Sequence, residues 1–294
     1  MQIRGYKFMT DYLFAILFFL SGMHNNVSMK RQSLKAVFAD IDGTLYSHVT
    51  DSVPGSAVKA LRMLKEAGVR VFACTGRCMA EIRDMNMRSV ELDGWLTMNG
   101  AYSFAEDGFV YRCALDPEDV RTFVTACREY DYPCMFLEAD RMYISRYDDE
   151  VQRMQDAIHT PMPEICDPRR ALEHPVYMVI PYAEEETWQK TAEKLKHVKY
   201  TRWNQLAVDV FHESCDKARA VEEACRYYGW TKEETAGIGD GPNDLSLLAA
   251  CGCSIAMGNA CEEVKQAADF VSDDIENDGF YKAVCRLLDR REKV

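Results

Sequence analysis

The chain has 294 residues, with 47 acidic and 35 basic side chains and a net charge of −12. That length buries one large core or two modest ones. The acidic balance excludes a nucleic-acid surface, which needs a basic face. It serves solubility for the most part, and it leaves anionic ligands open, because one bound metal ion can dominate the field of a cleft.

The apolar run from Tyr12 to Leu20, with Arg4 and Lys7 upstream, has the layout of a signal-peptide n- and h-region. It is short for a transmembrane helix, and Ser21-Gly22-Met23 is a poor cleavage site. Met29-Lys30 stands just before the first strand. Residues 1–28 are therefore read as an extension ahead of a start at Met29. The 12 cysteines include no CxxC pair. Cys74, Cys127, Cys225 and Cys285 lie in apolar runs and are expected to be reduced core residues of a cytoplasmic protein. Export or membrane anchoring follows only if residues 1–28 are a genuine signal or anchor.

Ala36-Val37-Phe38-Ala39 reads as a buried strand. Ser52-Val53-Pro54 opens a helix that Gly68 closes, with Val58, Leu61, Leu64 and Lys65 at helical spacing. Strand 69–74 ends at Thr75-Gly76-Arg77, a helix runs to about Met87, and strand 95–98 ends at Asn99-Gly100. Strand and helix alternating in this way predict right-handed crossovers and a parallel sheet. The rhythm then changes. Residues 102–104 and 109–111 flank Glu106-Asp107-Gly108 as a hairpin. A helix over 117–130 follows, then strands 135–137, 142–144 and 176–180, a helix over 184–196, and strands 198–201 and 206–211. The block 102–205 is read as a separate α+β insert. From Asp216 the alternation resumes, with helices over 216–228, 242–250, 261–267 and 279–290 around strands 235–239, 254–257 and 269–271.

Ligands of an open α/β sheet bind at the carboxyl ends of the strands, and here those ends carry polar residues. Asp40 and Asp42 follow the first strand, and their spacing allows both carboxylates onto one side. Two such anions repel unless a cation joins them; together they can divide the roles of nucleophile and acid/base. Gly43 allows a sharp turn. Thr75 and Gly76 offer a hydroxyl and N–H groups at a helix start, which suits an anion. Lys217 supplies a point charge for phosphate or for a carboxylate. Asp240-Gly241-Pro242-Asn243-Asp244 adds two carboxylates and an amide. Taken singly, each is a turn, a cap or a solvated side chain. In this order on one sheet edge they make a site, and oxygen donors without His or Cys suit Mg²⁺.

The set Asp40-x-Asp42-Gly43-Thr44, Thr75-Gly76-Arg77, Lys217 and Gly239-Asp240-Gly241-x-Asn243-Asp244 resembles the haloacid dehalogenase (HAD) superfamily. The insert, Asn99-Gly100 ahead of it and Asn277-Asp278-Gly279 are similar to its Cof-type subfamily IIB. Ala218 departs from the glycine common after the lysine. The resemblance runs from about Lys35 to the C-terminus. It implies a Rossmannoid parallel-sheet core over 35–101 and 206–294, with an inserted α+β cap over 102–205. It implies Asp40 as nucleophile, forming an aspartyl-phosphate, and Asp42 as acid/base. Asp40, the backbone carbonyl of Asp42 and Asp240 would ligate Mg²⁺. Thr75, Gly76, Lys217 and Asn243 would bind phosphate, with Asp244 in support.

The expected activity is hydrolysis of small phosphorylated metabolites, sugar phosphates foremost, without nucleic-acid or stable membrane partners. A phosphomutase or phosphotransferase with the same intermediate is the alternative, and a receiver-like phospho-switch a further one. Glu138, Asp140, Arg141, Tyr143, Arg146 and Trp203 are the polar and aromatic insert residues expected to include those that meet the substrate.

Overall fold

The computed structural model describes residues 34–87, 90–157, 160, 162–202 and 204–292. Residues 1–28 and Trp203, on which expectations were placed, lie outside the described residues. Among the described residues the strands form two sheets. In the first, β1 (Ala36–Ala39), β2 (Arg70–Cys74) and β3 (Gly94–Thr97) are parallel and run on into the antiparallel pair β4 (Tyr102–Ala105) and β5 (Val110–Arg112). The second comprises β6 (Cys134–Leu137), β7 (Met142–Ile144), β8 (Glu164–Ile165), β9 (Met178–Pro181), β10 (Val198–Arg202) and β11 (Val208–His212). Parallel strands β12 (Thr235–Gly239), β13 (Cys253–Ala256) and β14 (Phe270–Val271) complete the first sheet, whose order is β14-β13-β12-β1-β2-β3-β4-β5.

The helices are α1 (Gly55–Glu66), α2 (Met79–Asp84), α3 (Pro117–Glu129), α4 (Asp149–Ala157), α5 (Glu185–Ala192), α6 (Lys217–Tyr228), α7 (Leu245–Ala250), α8 (Glu262–Ala267) and α9 (Gly279–Glu292). The predicted α/β core with an α+β insert is the observed architecture. Helix α4 and strand β8 were not read from the sequence.

Sheet membership departs from the expected boundaries of the insert at both ends. The hairpin β4–β5 extends the first sheet, because Thr97, Leu96, Trp95 and Gly94 pair with Tyr102 to Ala105. Strand β11, expected in the core, pairs with β9 and β10 in the second sheet. Local patterning marks a strand but does not name its partner.

Helix α1 buries Ala57, Ala60, Leu61 and Leu64, a stripe at the spacing of one helix face. This stripe meets Phe280, Ala283, Val284 and Leu287 of α9 in one apolar cluster with Val37 and Val71 of the sheet. Of the cysteines read as core residues, Cys74, Cys127 and Cys225 are buried and Cys285 is half-buried; all twelve are free thiols. In the second sheet, alternation sorts the side chains by face. Phe136, Val179, Val208 and Val210 pack with Phe123 of α3 and Trp188 of α5. Met135, Leu137, Met178 and Ile180 face the other way, in a cluster that includes Cys78, Met98 and Ala101 from the first sheet's loops. No described helix is long and apolar enough to cross a membrane.

Candidate active site

The strand order reverses about β1, and the register aligns the ends of its neighbours. Ala39 pairs with Ile238 on one side and with Ala73 on the other. Asp40, Asp240 and Thr75 therefore leave the sheet at one level, and the Asp40 N–H donates to the Ile238 carbonyl (2.9 Å). This is the crevice where open α/β sheets bind ligands.

Lys217, the first residue of α6, is buried beneath this crevice. Its Nζ donates to Asp40 Oδ1 (2.6 Å) and to Asp244 Oδ1 (2.5 Å). Asp244 Oδ2 accepts the backbone N–H groups of Asp240 (3.0 Å) and Gly241 (2.9 Å). Both oxygens of Asp244 are thus engaged inside the protein. Asp240 Oδ1 accepts from Thr44 Oγ1 (2.9 Å), and Oδ2 accepts from Asn259 Nδ2 (3.1 Å). Gly43 has φ +78°, and a Cβ there would stand 2.3 Å from Asp240 Oδ2, so the turn accepts no side chain without moving that carboxylate.

Burial and the Asp244 anion push the Asp40 carboxyl well above its usual range, against the pull of Lys217. Burial likewise pushes Asp240 up to about 6, although Thr44 opposes it. The burial of Lys217 favours its neutral form, but Asp244 and Asp40 outweigh that and hold it protonated. The pocket therefore carries more negative charge than its lysine balances. Carboxylate oxygens of Asp40, Asp240 and Asp244 lie within 4.8 Å of one another. Hard oxygen donors at that spacing, with surplus negative charge, fit a divalent cation. Asp244 is taken up by Lys217 and two N–H groups, whereas Asp40 and Asp240 line the cavity, where their carboxylates could hold such an ion.

Asp42 faces differently. Burial would raise its carboxyl, but hydrogen bonds from His48 and Arg77 prevail and hold it at about 2. Arg77 Nε and Nη2 donate to it at 2.8 Å, and His48 Nε2 lies 2.8 Å away.

A family model for haloacid dehalogenase-like hydrolases matches residues 37–284. The chain belongs to that family. This hydrolase is 32% identical to the subclass IIB sugar phosphatase BT4131, over 86% of this chain and 98% of that one, with a TM-score of 0.77. It is 30% identical to the phosphatase BT1666 of Bacteroides thetaiotaomicron, over 90% and 98% of the two chains, with a TM-score of 0.79. It is 27% identical to the 5-amino-6-(5-phospho-D-ribitylamino)uracil phosphatase YitU of Bacillus subtilis, over 82% of this chain and 92% of the relative. The fold and the aspartate cluster support phosphoric monoester hydrolysis.

A cavity of about 670 Å³ opens above the hydrolase's aspartates. Of the residues singled out in the sequence, Asp40, Asp42, Gly76, Asp240 and Asn243 line it. Lys217 and Asp244 lie behind Asp40, and Thr75 is buried with its hydroxyl accepting the Arg77 N–H (3.1 Å).

None of the described insert residues proposed to meet substrate reaches the cavity. Glu138 is clasped by Arg170 at 2.8 and 2.7 Å. Arg141 pairs with Glu164, and Asp140 is exposed. Tyr143 stacks on Phe136 in the interior, and Arg146 donates to the Asp131 carbonyl (2.6 Å). The insert side of the cavity includes Met135, Gln155, Met178, Ile180, Arg202 and Asp209 instead. Sequence reasoning also passed over His48 and Asn259, and read Asn99 only as a strand end and a mark of the subfamily. Asn99 has φ +52° and a buried side-chain oxygen without a hydrogen-bond partner beside Gly76. The left-handed preference of an Asn before Gly was the available signal.

Proposed function

We propose that this chain is a Mg²⁺-dependent phosphatase of small phosphorylated metabolites, sugar phosphates foremost, working through an aspartyl-phosphate on Asp40. The observation that carries the reading is the bridge from Lys217 Nζ to Asp40 and Asp244 at the floor of the cavity. A buried carboxylate held by a fixed cation, open to a cavity on its other side, is an oriented nucleophile.

Asp40 would attack phosphorus, so that a bond to its oxygen forms as the ester P–O bond breaks. Asp42 would give a proton to the leaving oxygen, then take one from the water that cleaves the aspartyl-phosphate. In the described arrangement Asp42 is an anion clasped by Arg77 and His48, so proton donation requires that clasp to loosen as substrate enters. Thr75, Gly76 and Asn243 would hold phosphoryl oxygens, and Asp244 fixes Lys217. Asp40, Asp240 and the Asp42 carbonyl would hold Mg²⁺, which when bound neutralises charge on the transferring group.

Hydroxyl-rich substrates are favoured by what the insert presents. Arg202 lines the cavity, and its Nη2 is buried without a hydrogen-bond partner. Asp209 offers a carboxylate on the same wall. With Gln155, Thr160 and Thr201 beside them and Met135, Met178 and Ile180 between, this mix of polar and apolar side chains suits a sugar. The relatives named for sugar phosphate and ribitylamino-phosphate substrates are in keeping with this.

The test is phosphate release across phosphorylated sugars, nucleotides and cofactors with Mg²⁺, using Asp40→Asn as control. A sugar phosphate with the highest kcat/KM supports the reading. A preference for nucleotides, or phosphoryl transfer to a second sugar instead of water, overturns it.

A further inference from the structure

Two connections join the sheets. Residues 113–116 lead from β5 to α3, and residues 213–216 lead from β11 back to α6. Each carries one cysteine, Cys113 and Cys215. The segment 99–101 anchors both: the Cys113 N–H donates to the Ala101 carbonyl (2.8 Å), and Cys215 Sγ lies 3.7 Å from the Asn99 carbonyl. Cys113 packs against the buried cluster that holds Cys215, and the two thiols interact directly. Cys113 is half-buried and open to small reagents, whereas Cys215 is fully buried.

We propose that Cys113 and Cys215 form a reversible thiol-modification site, a peroxide-formed disulfide that ties the two connections together.

The surroundings assign the roles. The Ser214 N–H donates to His212 Nδ1 (3.1 Å), which fixes the ring, and the His212 side chain also hydrogen-bonds Cys113. The Cys215 thiol foremost, then His212 and Tyr111, stabilise a Cys113 thiolate and bring its pKa down to about 6 against the cost of burial. Cys215 moves the other way and stays a protonated thiol. Cys113, the sulfur that small reagents can reach, is the attacking one, and the buried Cys215 is the resolving one.

The oxidant is a hydroperoxide. The Cys113 thiolate attacks its terminal oxygen: an S–O bond forms, the O–O bond breaks, and the departing oxygen takes a proton to leave as water or an alcohol. The peroxide gains the two electrons that the sulfur loses. Cys215 then gives up its proton and attacks Cys113. The S–S bond forms, the S–O bond breaks, and hydroxide leaves with that proton as water. The product links the only two chain crossings between the sheets among the described residues. Relative motion of the insert over the cavity is then restrained, and turnover that depends on opening slows.

The experiment treats the intact, Mg²⁺-loaded protein with hydrogen peroxide, blocks free thiols and maps disulfides by mass spectrometry. Phosphate release is followed before and after a dithiol reductant. The expected result is a Cys113–Cys215 cross-linked peptide pair that the reductant abolishes, with a several-fold loss of turnover that reduction restores. Cys113→Ser and Cys215→Ser keep basal turnover and escape the reversible loss; serine at 215 preserves a donor to Asn99. Cross-linking without loss of turnover overturns the restraint. Absence of the pair, or equal reversible loss in Cys113→Ser, overturns the site. The peptide map reads the disulfide whether or not the protein proves to be a phosphatase.

Discussion

Lys217 Nζ lies 2.6 Å from Asp40 Oδ1 across 177 residues of sequence, inside a pocket that water scarcely reaches. The same nitrogen bonds Asp244, so one cation anchors two buried carboxylates. Removing it strands both. We expect Lys217→Ala to cost about 3–5 kcal/mol of stability, as for other broken buried pairs. Turnover should fall by about 10²–10³ through loss of a fixed charge beside the transferring group. Chemical denaturation and steady-state kinetics on the purified variant check both; wild-type kcat would remove Lys217 from the chemistry.

Asp40→Asn should separate chemistry from folding. The amide cannot attack phosphorus, so phosphate release should vanish. Stability should hold or rise, because burial and Asp244 disfavour the Asp40 anion and Lys217 keeps its bond to Asp244. Thermal melts beside an activity assay decide this, and surviving turnover would refute the nucleophile.

Asn259 secures the turn and its carboxylate together. Its Nδ2 donates to the Gly43 carbonyl (2.9 Å) and to Asp240 Oδ2, while its Oδ1 accepts the Ile275 N–H (3.0 Å). Outer partners of this kind orient metal-binding groups, and losing one typically costs about 10–100-fold in affinity. In Asn259→Ala the Mg²⁺ concentration for half-maximal activity should rise by that factor, with kcat at saturating Mg²⁺ little changed. A fall in kcat with unchanged Mg²⁺ dependence would count against this role.

Magnesium should protect the fold more at neutral than at acid pH. Asp240 is raised to about 6 by burial, whereas an unfolded aspartate titrates near about 3.9. Between those values the metal-free native state holds a proton that the unfolded chain has released, so its stability falls as pH rises through the window. Above it the repulsion is fully present, and the carboxylate is free to bind the ion. The Tm gained on adding Mg²⁺ should therefore be larger at about pH 7.5 than at about pH 5. An equal gain at both would contradict the raised Asp240.

The aspartates, Thr75-Gly76 and Lys217 were legible as a group because each sits where a strand or helix boundary is marked locally, by Gly43, Gly76 or the Asp216 cap. Parallel pairing then brings such boundaries to one edge whatever lies between them. The insert gave no comparable marks. Glu138 and Met135 are three residues apart on one strand and its extension, yet opposite pleats send one to Arg170 and the other to the cavity. Which pleat faces inward depends on the helices α3 and α5 covering the far side, a tertiary fact that polarity does not encode. The hairpin 102–112 was misplaced for a similar reason: a strand pattern is local, while its partner β3 is set by a turn of three left-handed residues, Met98, Asn99 and Gly100.

The meeting of Cys113 and Cys215 also bears on how such a protein can change over generations. Where a long insertion leaves and re-enters its host at touching points, the host sees only a short surface loop, and loop length weighs little on its stability. The stretch between could be lengthened, trimmed or exchanged whole without disturbing the strand order that aligns Asp40 with Asp240. The far wall of the cavity and the aspartates beneath it thus sit on separable segments of the gene, and one can drift while the other is held fixed.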